Sequence, residues 1–254
     1  MNLVLLFPED FISTDHVKLS DYRAEHIGKI LKAQPGQKLK VGLVQKGRGQ
    51  GMITRIHNHT VELEVEIKEE KIEPASLSLI LALPRPQTLK KVLETIGAFG
   101  LRNLFLIQTE RVEKSFFQST LLQDKAWLQY LRLGMEQGGK ISLPEITLWT
   151  SFQKFKNELK EKLNVKTTRI ILEAASLETL WNLPAKTWAD SKEIIAAIGP
   201  EGGWLKQEVE EFCRLGFQPI RLGPTIHRVE NAVTALLAQI ELFRETPRLR
   251  SNVL

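Results

Sequence analysis

Residues 61–67 alternate strictly as Val61-Glu62-Leu63-Glu64-Val65-Glu66-Ile67. This period of two puts four aliphatic side chains on one face of a strand and three glutamates in water. Shorter signals surround it. Residues 3–7 form an apolar strand, residues 38–44 alternate loosely, and residues 51–56 continue as a strand after Gly47, Gly49 and Gly51, which mark a turn. Between the first two strands a short helix is predicted, N-capped by Ser20 or Asp21, with Ala24, Ile27, Ile30 and Leu31 on its inner side and Pro35-Gly36 as its stop. The first 72 residues therefore predict a small β-rich domain.

Beyond a charged linker over residues 68–76, which contains Pro74, the pattern changes. Residues 77–83 are continuously apolar, as in a strand buried on both faces of a parallel sheet. After Pro84-Arg85-Pro86, Leu89, Val92, Leu93 and Ile96 form the inner stripe of a helix. A strand follows at 104–108. A long helix is predicted over 121–137, with Leu121, Trp127, Leu128, Leu131 and Met135 as its stripe, and Gly138-Gly139 and Pro144 end it. A further helix is expected at 151–163, with strands at 169–173, 194–198 and 217–222. Five strands separated by helices predict a mostly parallel, three-layer α/β sheet over residues 73–254.

Composition narrows the class. The 254-residue chain has no apolar run near the roughly 20 residues needed to cross a bilayer. Its first seven residues are too short for a secretory signal, so a cytoplasmic protein without a membrane partner is expected. Cys213 is the only cysteine, which excludes an internal disulfide or a cysteine-built metal site. It is expected to be buried on a helix with Val209 and Phe212. The net charge of +5 is unevenly spread. From His26 to Val61 there is no carboxylate, while Lys29, Lys32, Lys38, Lys40, Lys46, Arg48 and Arg55 are all cationic; Glu62, Glu64, Glu66, Glu69, Glu70 and Glu73 follow at once. Such a block is either a solvated surface or a face that tracks phosphates, and the absence of carboxylates favours the second. Few aromatics interleave it, so base stacking is not expected there.

Three strand ends carry unusual loops: Glu173-Ala174-Ala175-Ser176, Gly199-Pro200-Glu201-Gly202-Gly203, and residues 223–230. Glycines at a sheet rim let main-chain groups approach a ligand closely. Neither a Gly-x-Gly-x-x-Gly nor a Gly-x-x-x-x-Gly-Lys-Ser/Thr pattern is present, so a dinucleotide fingerprint and a phosphate loop are both excluded. Arg228 and Glu230 stand where the third loop enters the last helix. Helix capping with an ion pair suits them as well as catalysis does. His227 has no histidine at ligand spacing, so no metal is expected. The residues alone support an α/β enzyme that holds a small polar ligand through backbone loops and touches nucleic acid.

Residues 198–204, followed by Leu222-Gly223-Pro224 and Arg228-x-Glu230-x-Ala232, resemble the signature of the RsmE family of 16S ribosomal RNA uracil-N3 methyltransferases, in the SPOUT superfamily. Ala24-Glu25-His26 through Gly36, Leu83-Pro84-Arg85-Pro86, and Glu136-Gln137 with Pro144 extend the similarity over nearly the whole chain. The chain departs from the family where Gly138-Gly139-Lys140 replaces a frequent Ser-Gly-Arg, where Asn231 replaces Thr, and where Trp204 replaces Phe. The resemblance implies a SPOUT-type α/β knot, a deep trefoil with a mostly parallel sheet, over residues 73–254. Such knots are exceptions to the rule against threaded chains. A PUA-like β-barrel is implied for residues 1–72.

It further implies S-adenosylmethionine as cofactor, with S-adenosylhomocysteine as product, held by Leu172, Glu173 and Ala174, by Ile198, Gly199, Pro200, Glu201, Gly202 and Gly203, and by Leu222, Gly223, Ile226 and Arg228. The implied partners are 16S rRNA in the small ribosomal subunit, faced by Arg23, His26, Lys29, Lys32, Lys46, Arg48 and Lys140, and a second copy of the chain joined through the knotted domain. Arg228 would orient the uracil or stabilise its developing oxyanion, with Glu230 positioning Arg228. Glu201 or a water would take the N3 proton, and the sequence does not choose between them. A SPOUT enzyme acting on another base or a ribose hydroxyl, and an RNA-binding assembly factor without activity, are the rival expectations.

Overall fold

The computed structural model describes residues 2–72, 75–162, 167–184 and 193–245. Pro74 in the expected linker and residue 163 at the end of an expected helix lie outside them. The chain divides into two compact units.

Unit 1 comprises Met1–Pro74, Gly97–Gly100 and Leu131–Leu143. Its sheet has five strands, β1 (Val4–Leu6), β2 (His16–Leu19), β3 (Lys38–Leu43), β4 (Gly47–His57) and β5 (Thr60–Glu69), in the order β1-β3-β4-β5-β2. The strict alternation at 61–67 builds β5, whose Val61, Leu63 and Val65 meet Leu6, Val17, Val41 and Ile53 in one core. Strand β2 was not expected from the sequence. It is four residues long and pairs antiparallel with β5, Val17 opposite Leu63. The short helix α1 (Tyr22–Glu25) is capped by Asp21, whose carboxylate accepts from Arg23 N–H, and it passes into a π turn over His26–Ile30. The Leu31 N–H therefore reaches back five residues to His26 O at 2.9 Å. This wider turn keeps Ala24 and Ile27 buried but rotates Ile30 and Leu31 into solvent, against the expected stripe.

Gly47, Gly49 and Gly51 do not form a turn; they lie inside β4. The turn is at residues 44–46, where Gln45 takes a φ of 60°. The glycines are needed because β5 passes unusually close. A Cβ at Gly47 would meet Lys68 O at 1.9 Å, and one at Gly49 would meet Glu66 O at 1.8 Å. The charge blocks are likewise folded together. Arg55 lies opposite Glu62, and Arg48, opposite Lys68 in the register, pairs with Glu70. The acidic strand thus runs directly beside the basic one, and beyond it Lys18 pairs with Glu62. The outward sheet face is mixed in sign.

Unit 2 comprises Ala75–Ile96, Leu101–Tyr130 and Pro144–Leu254. Its sheet has six strands: β6 (Leu77–Ala82), β7 (Asn103–Ile107), β8 (Glu145–Trp149), β9 (Thr167–Leu172), β10 (Glu193–Ile198) and β11 (Gln218–Ile220). The order is β11-β9-β10-β6-β7-β8, and the registered pairs are all parallel. The continuous apolar runs become strands with both faces covered, as β6, buried throughout, illustrates. Strand β8 was missed because it is a half-exposed edge without a clean alternation. Helix α2 (Pro86–Phe99) buries Leu89, Val92, Leu93 and Ile96 as expected.

The long helix expected at 121–137 is two helices, α3 (Thr120–Gln123) and α4 (Trp127–Gly138). Lys125 between them has a φ of 52°, a left-handed residue of the kind that ends helices. Helix α5 spans Phe152–Lys162, α6 spans Lys206–Arg214 and α7 spans Val229–Glu245. On α6 the inward positions are Glu208 and Phe212, four apart, which leaves Cys213 exposed, contrary to the expectation.

One carboxylate is buried inside unit 1. Glu136, on α4, accepts from Leu5 N–H at 3.2 Å and from Tyr22 O–H at 3.1 Å, and its own carbonyl accepts from Asn2 N–H. Burial pushes its pKa up to about 7, the nearby Arg23 cation opposing that rise and Asp21 adding to it. The folded state therefore holds this proton above the pH at which the unfolded chain releases it. Its contribution to stability is complete below about pH 4.5 and is lost as pH rises through about 7. Chemical denaturation should show stability falling across this window in the wild type, with a shallower fall in Glu136→Gln; parallel profiles would refute the linkage. Gly49→Ala should destabilise the protein by about 1–3 kcal/mol through overpacking against β5, and an unchanged melting temperature would disprove the close approach.

Candidate active site

The strand order reverses direction between β10 and β6, and the crevice at the carboxyl ends of strands flanking such a reversal is where open α/β sheets hold ligands. A cavity of about 1020 Å³ lies there. Its walls are residues 172–174 after β9, 198–204 after β10 and 220–230 after β11, with Arg85, Thr88 and Arg111 from the other half of the sheet and Ala232 from α7. Every residue expected to bind a cofactor lines this one cavity, as do Arg228, Glu230 and Glu201.

The three loops are tied to one another by groups that leave their remaining backbone free. Glu173 N–H donates to Ile220 O at 2.8 Å, joining the first loop to β11. Its carboxylate accepts from Ala175 N–H at 3.1 Å. The indole Nε1 of Trp204 donates to Leu172 O at 3.1 Å, linking the second loop to the first. The ring is buried between Gly199 and Phe212, and a Cβ at Gly199 would sit 3.0 Å from Nε1. The substitution of Trp for a common Phe thus adds an inter-loop hydrogen bond. Within the second loop Gly203 N–H donates to Pro200 O at 2.8 Å, and Gly203 adopts a φ of 73°, which favours glycine. The third loop is held by Gln239 Nε2, which donates to Leu222 O at 3.3 Å.

Three further ties come from the loops after β6 and β7. Arg111 Nη1 donates to Gly202 O and, at 3.4 Å, to Gly203 O. The buried Glu208 carboxylate accepts from Glu110 N–H at 3.0 Å and from Leu205 N–H at 2.8 Å, so it caps α6 and anchors the loop after β7 together. Glu201 Oε1 accepts from Arg85 N–H at 3.1 Å. Arg85 and Arg111 each follow a strand on the same rim as the three chosen loops. Their position just past residues 77–83 and 104–108 was the signal available.

Arg228 is exposed in the cavity wall immediately before α7, and its carbonyl accepts from Ala232 N–H at 2.8 Å. Glu230 is engaged by Lys91 of α2 at 3.3 Å. Its pKa is lowered by a hydrogen bond to its own backbone N–H, then by Lys91 and the Arg228 charge. The side-chain partner of Glu230 is thus Lys91 on α2, and no hydrogen bond joins it to Arg228 among the described residues. The N-terminus of α7 adds partial positive charge to the same wall.

The residues expected to face RNA in unit 1 fall into distinct environments. Arg23 is a correction: only 4% exposed, it pairs with Asp10 at 2.6 Å and Asp21 at 2.8 Å, and is a structural cation. His26 has a buried Nε2 without a partner, and burial lowers its pKa. Lys29 is exposed and paired with Glu25 at 2.7 Å. Arg48 is exposed, pairs with Glu70 and donates to Gly139 O at 3.1 Å. Lys32 and Lys46 are exposed, and Lys140 is half-buried with its stem over Gly100. Among the described residues no group of His, Cys, Asp and Glu is placed to hold a metal, and no helix is long and apolar enough to cross a membrane.

Residues 71–241 match the model of an RNA methyltransferase domain. The chain is 29% identical to a ribosomal RNA small subunit methyltransferase E of Treponema pallidum, over 94% of this chain and 90% of that protein. It is 26% identical to the protein of the same name from Synechocystis, over 96% and 78% respectively. The fold is shared with the crystal structure of a ribosomal RNA small subunit methyltransferase E from Neisseria gonorrhoeae bound to S-adenosylmethionine, at 19% identity and a TM-score of 0.73, covering 94% of this chain and 97% of that one.

Trp204→Phe should cost about 1 kcal/mol, the worth of one buried hydrogen bond, whereas Gly199→Ala should cost more because the indole cannot withdraw. Thermal unfolding of the two variants measures this, and a Trp204→Phe protein as stable as wild type would show that the Leu172 bond does not hold the loops.

Proposed function

The chain belongs to the RNA methyltransferase family whose model it matches over residues 71–241, and from that premise we propose that it transfers a methyl group from S-adenosylmethionine to N3 of a uridine in 16S ribosomal RNA of the small subunit. The observation that carries this reading is the convergence of three backbone loops and Arg228 on one cavity. The cavity suits the cofactor chemically: Leu172, Ile198, Leu222 and Val229 supply apolar walls, and the loop main chains supply donors and acceptors for an adenine and a methionine moiety. When bound, S-adenosylmethionine supplies an electrophilic methyl group on a sulfonium. We propose further that the loops after β10 and β11 form a SPOUT-type trefoil knot, that unit 1 is a PUA-like barrel, and that the enzyme is a cytoplasmic homodimer.

Uracil N3 carries a proton, so the site must accept that proton and stabilise the negative charge that spreads to the neighbouring oxygens. Arg228 stands at the N-terminus of α7, where its guanidinium and the helix dipole both favour a developing oxyanion. Lys91 neutralises Glu230 beside it, which keeps the wall positive at the point where charge develops. Glu201 is exposed in the cavity wall, and Arg85 N–H occupies only Oε1, leaving Oε2 to take the N3 proton. The base is bound free of its pairing partner, since N3 is otherwise inaccessible.

Arg228→Ala should lower methyl transfer by about 10²–10³-fold, with S-adenosylmethionine affinity, read by calorimetry, changing far less. Turnover at the wild-type level would remove Arg228 from the reaction.

A further inference from the structure

We propose that Arg85 and Arg111 form a clamp for the phosphates that flank the target nucleotide, on the part of the cavity rim built by the loops after β6 and β7. The proposal rests on the RNA methyltransferase reading and adds to it a place for the RNA backbone. Both arginines line the cavity, yet neither belongs to the three loops that account for the cofactor. Both are exposed, and among the described residues neither guanidinium meets a carboxylate. The wall carries Arg85, Arg111, Arg221 and Arg228 against Glu173, Glu201 and Glu230, the last paired with Lys91, so cations outnumber carboxylates around the cavity.

Both residues are also held in place from the side that faces the second loop. The Arg85 main chain is fixed by Glu201, so its side chain projects from an anchored point. The Arg111 stem lies over Gly202, where an added Cβ would be 3.3 Å from Cδ, and Nη1 spends its hydrogens on the Gly202 and Gly203 carbonyls. A guanidinium has five N–H donors in a planar fork. With Nη1 committed, Nη2 and Nε remain for an anion. A pre-oriented fork on a scaffold loses less entropy on binding phosphate than a free lysine does. The cofactor is itself cationic at sulfur and does not call for two additional arginines. A cavity of about 1020 Å³ also lies at the upper limit of the roughly 300–1,000 Å³ that one small ligand occupies, so it has room for a second occupant.

The test is fluorescence anisotropy of a labelled oligouridylate across a salt series, with the whole protein and the variants Arg85→Ala, Arg111→Ala and the pair. Lys160→Ala on α5, exposed and outside the cavity lining, is the control. For single strands each lost phosphate contact should reduce the slope of log affinity against log salt by roughly 0.7. The double variant should lose about twice that, and the control should match wild type. Calorimetry with S-adenosylmethionine should give the wild-type affinity for Arg85→Ala, whose loop anchor is a main-chain group the substitution keeps. Unchanged slopes in Arg85→Ala and in the pair would overturn the clamp. So would a loss of cofactor affinity with the slope intact, which would place the guanidinium on the cofactor's carboxylate. Wild-type protein that shows these slope changes on mutation but takes up no S-adenosylmethionine would overturn the methyltransferase reading and leave the clamp standing.

Discussion

Trp204 Nε1 and Leu172 O are 3.1 Å apart, and the relation between the first two loops depends on that bond. The ring can lie there only because Gly199 has no side chain: a Cβ would fall within 3.1 Å of the indole. With the two loops fixed, the glycines of the second leave stretches of main chain uncovered along the shared cavity. Glu208 and Arg111 extend the same logic to the loop after β7, and Gln239 to the third loop. The rim thus combines exposed main chain with the side chains of Arg228 and Glu201, all held in register by a few side chains that tie the loops together. Such pre-organisation is what a site needs when its task is to align two reactants rather than to form a covalent intermediate.

Unit 1 follows a related rule with different residues. The glycines of β4 let β5 pass at a distance that no side chain tolerates, and the acidic strand is thereby laid beside the basic one. Charge that is segregated along the chain is interleaved in space. Among the described residues several of these cations are already paired, Lys29 with Glu25 and Arg48 with Glu70, so the exposed basic surface is smaller than the sequence block suggests. Arg23 marks the limit of reading charge from a string of letters. Its partner Asp10 is 13 residues away in the chain and meets it only in the fold, while Asp21, two residues away, reads in the sequence as no more than a helix cap.

Most strands and helices of unit 2 were legible because a strand buried on both faces, such as β6, leaves an unbroken apolar run and a helix such as α2 leaves a clear stripe. Strand β8 was not, since an edge exposes most of its side chains, and the break at Lys125 was not, since nothing in its side chain demands a positive φ. The π turn at His26–Ile30 escaped for a similar reason: a period of 3.6 was assumed where the hydrogen bonds span five residues. At the site, the glycines of the three loops announced themselves. Arg85 and Arg111 did not, because a lone arginine after a strand looks like any solvated cation until the sheet order sets β6 beside β10 and β7 next to β6 on the same rim. Glu208 was hidden as one more glutamate on an amphipathic helix, and only burial against two N–H groups distinguishes it.

The most direct measurement is to incubate undermethylated small-subunit particles and free 16S RNA with the purified protein and isotopically labelled S-adenosylmethionine, and to locate the label by mass spectrometry of the digested RNA. Label on N3 of a single uracil is the outcome that the proposed methyl transfer predicts. Label on a ribose oxygen or on another base, or no transfer to either RNA form, would contradict it.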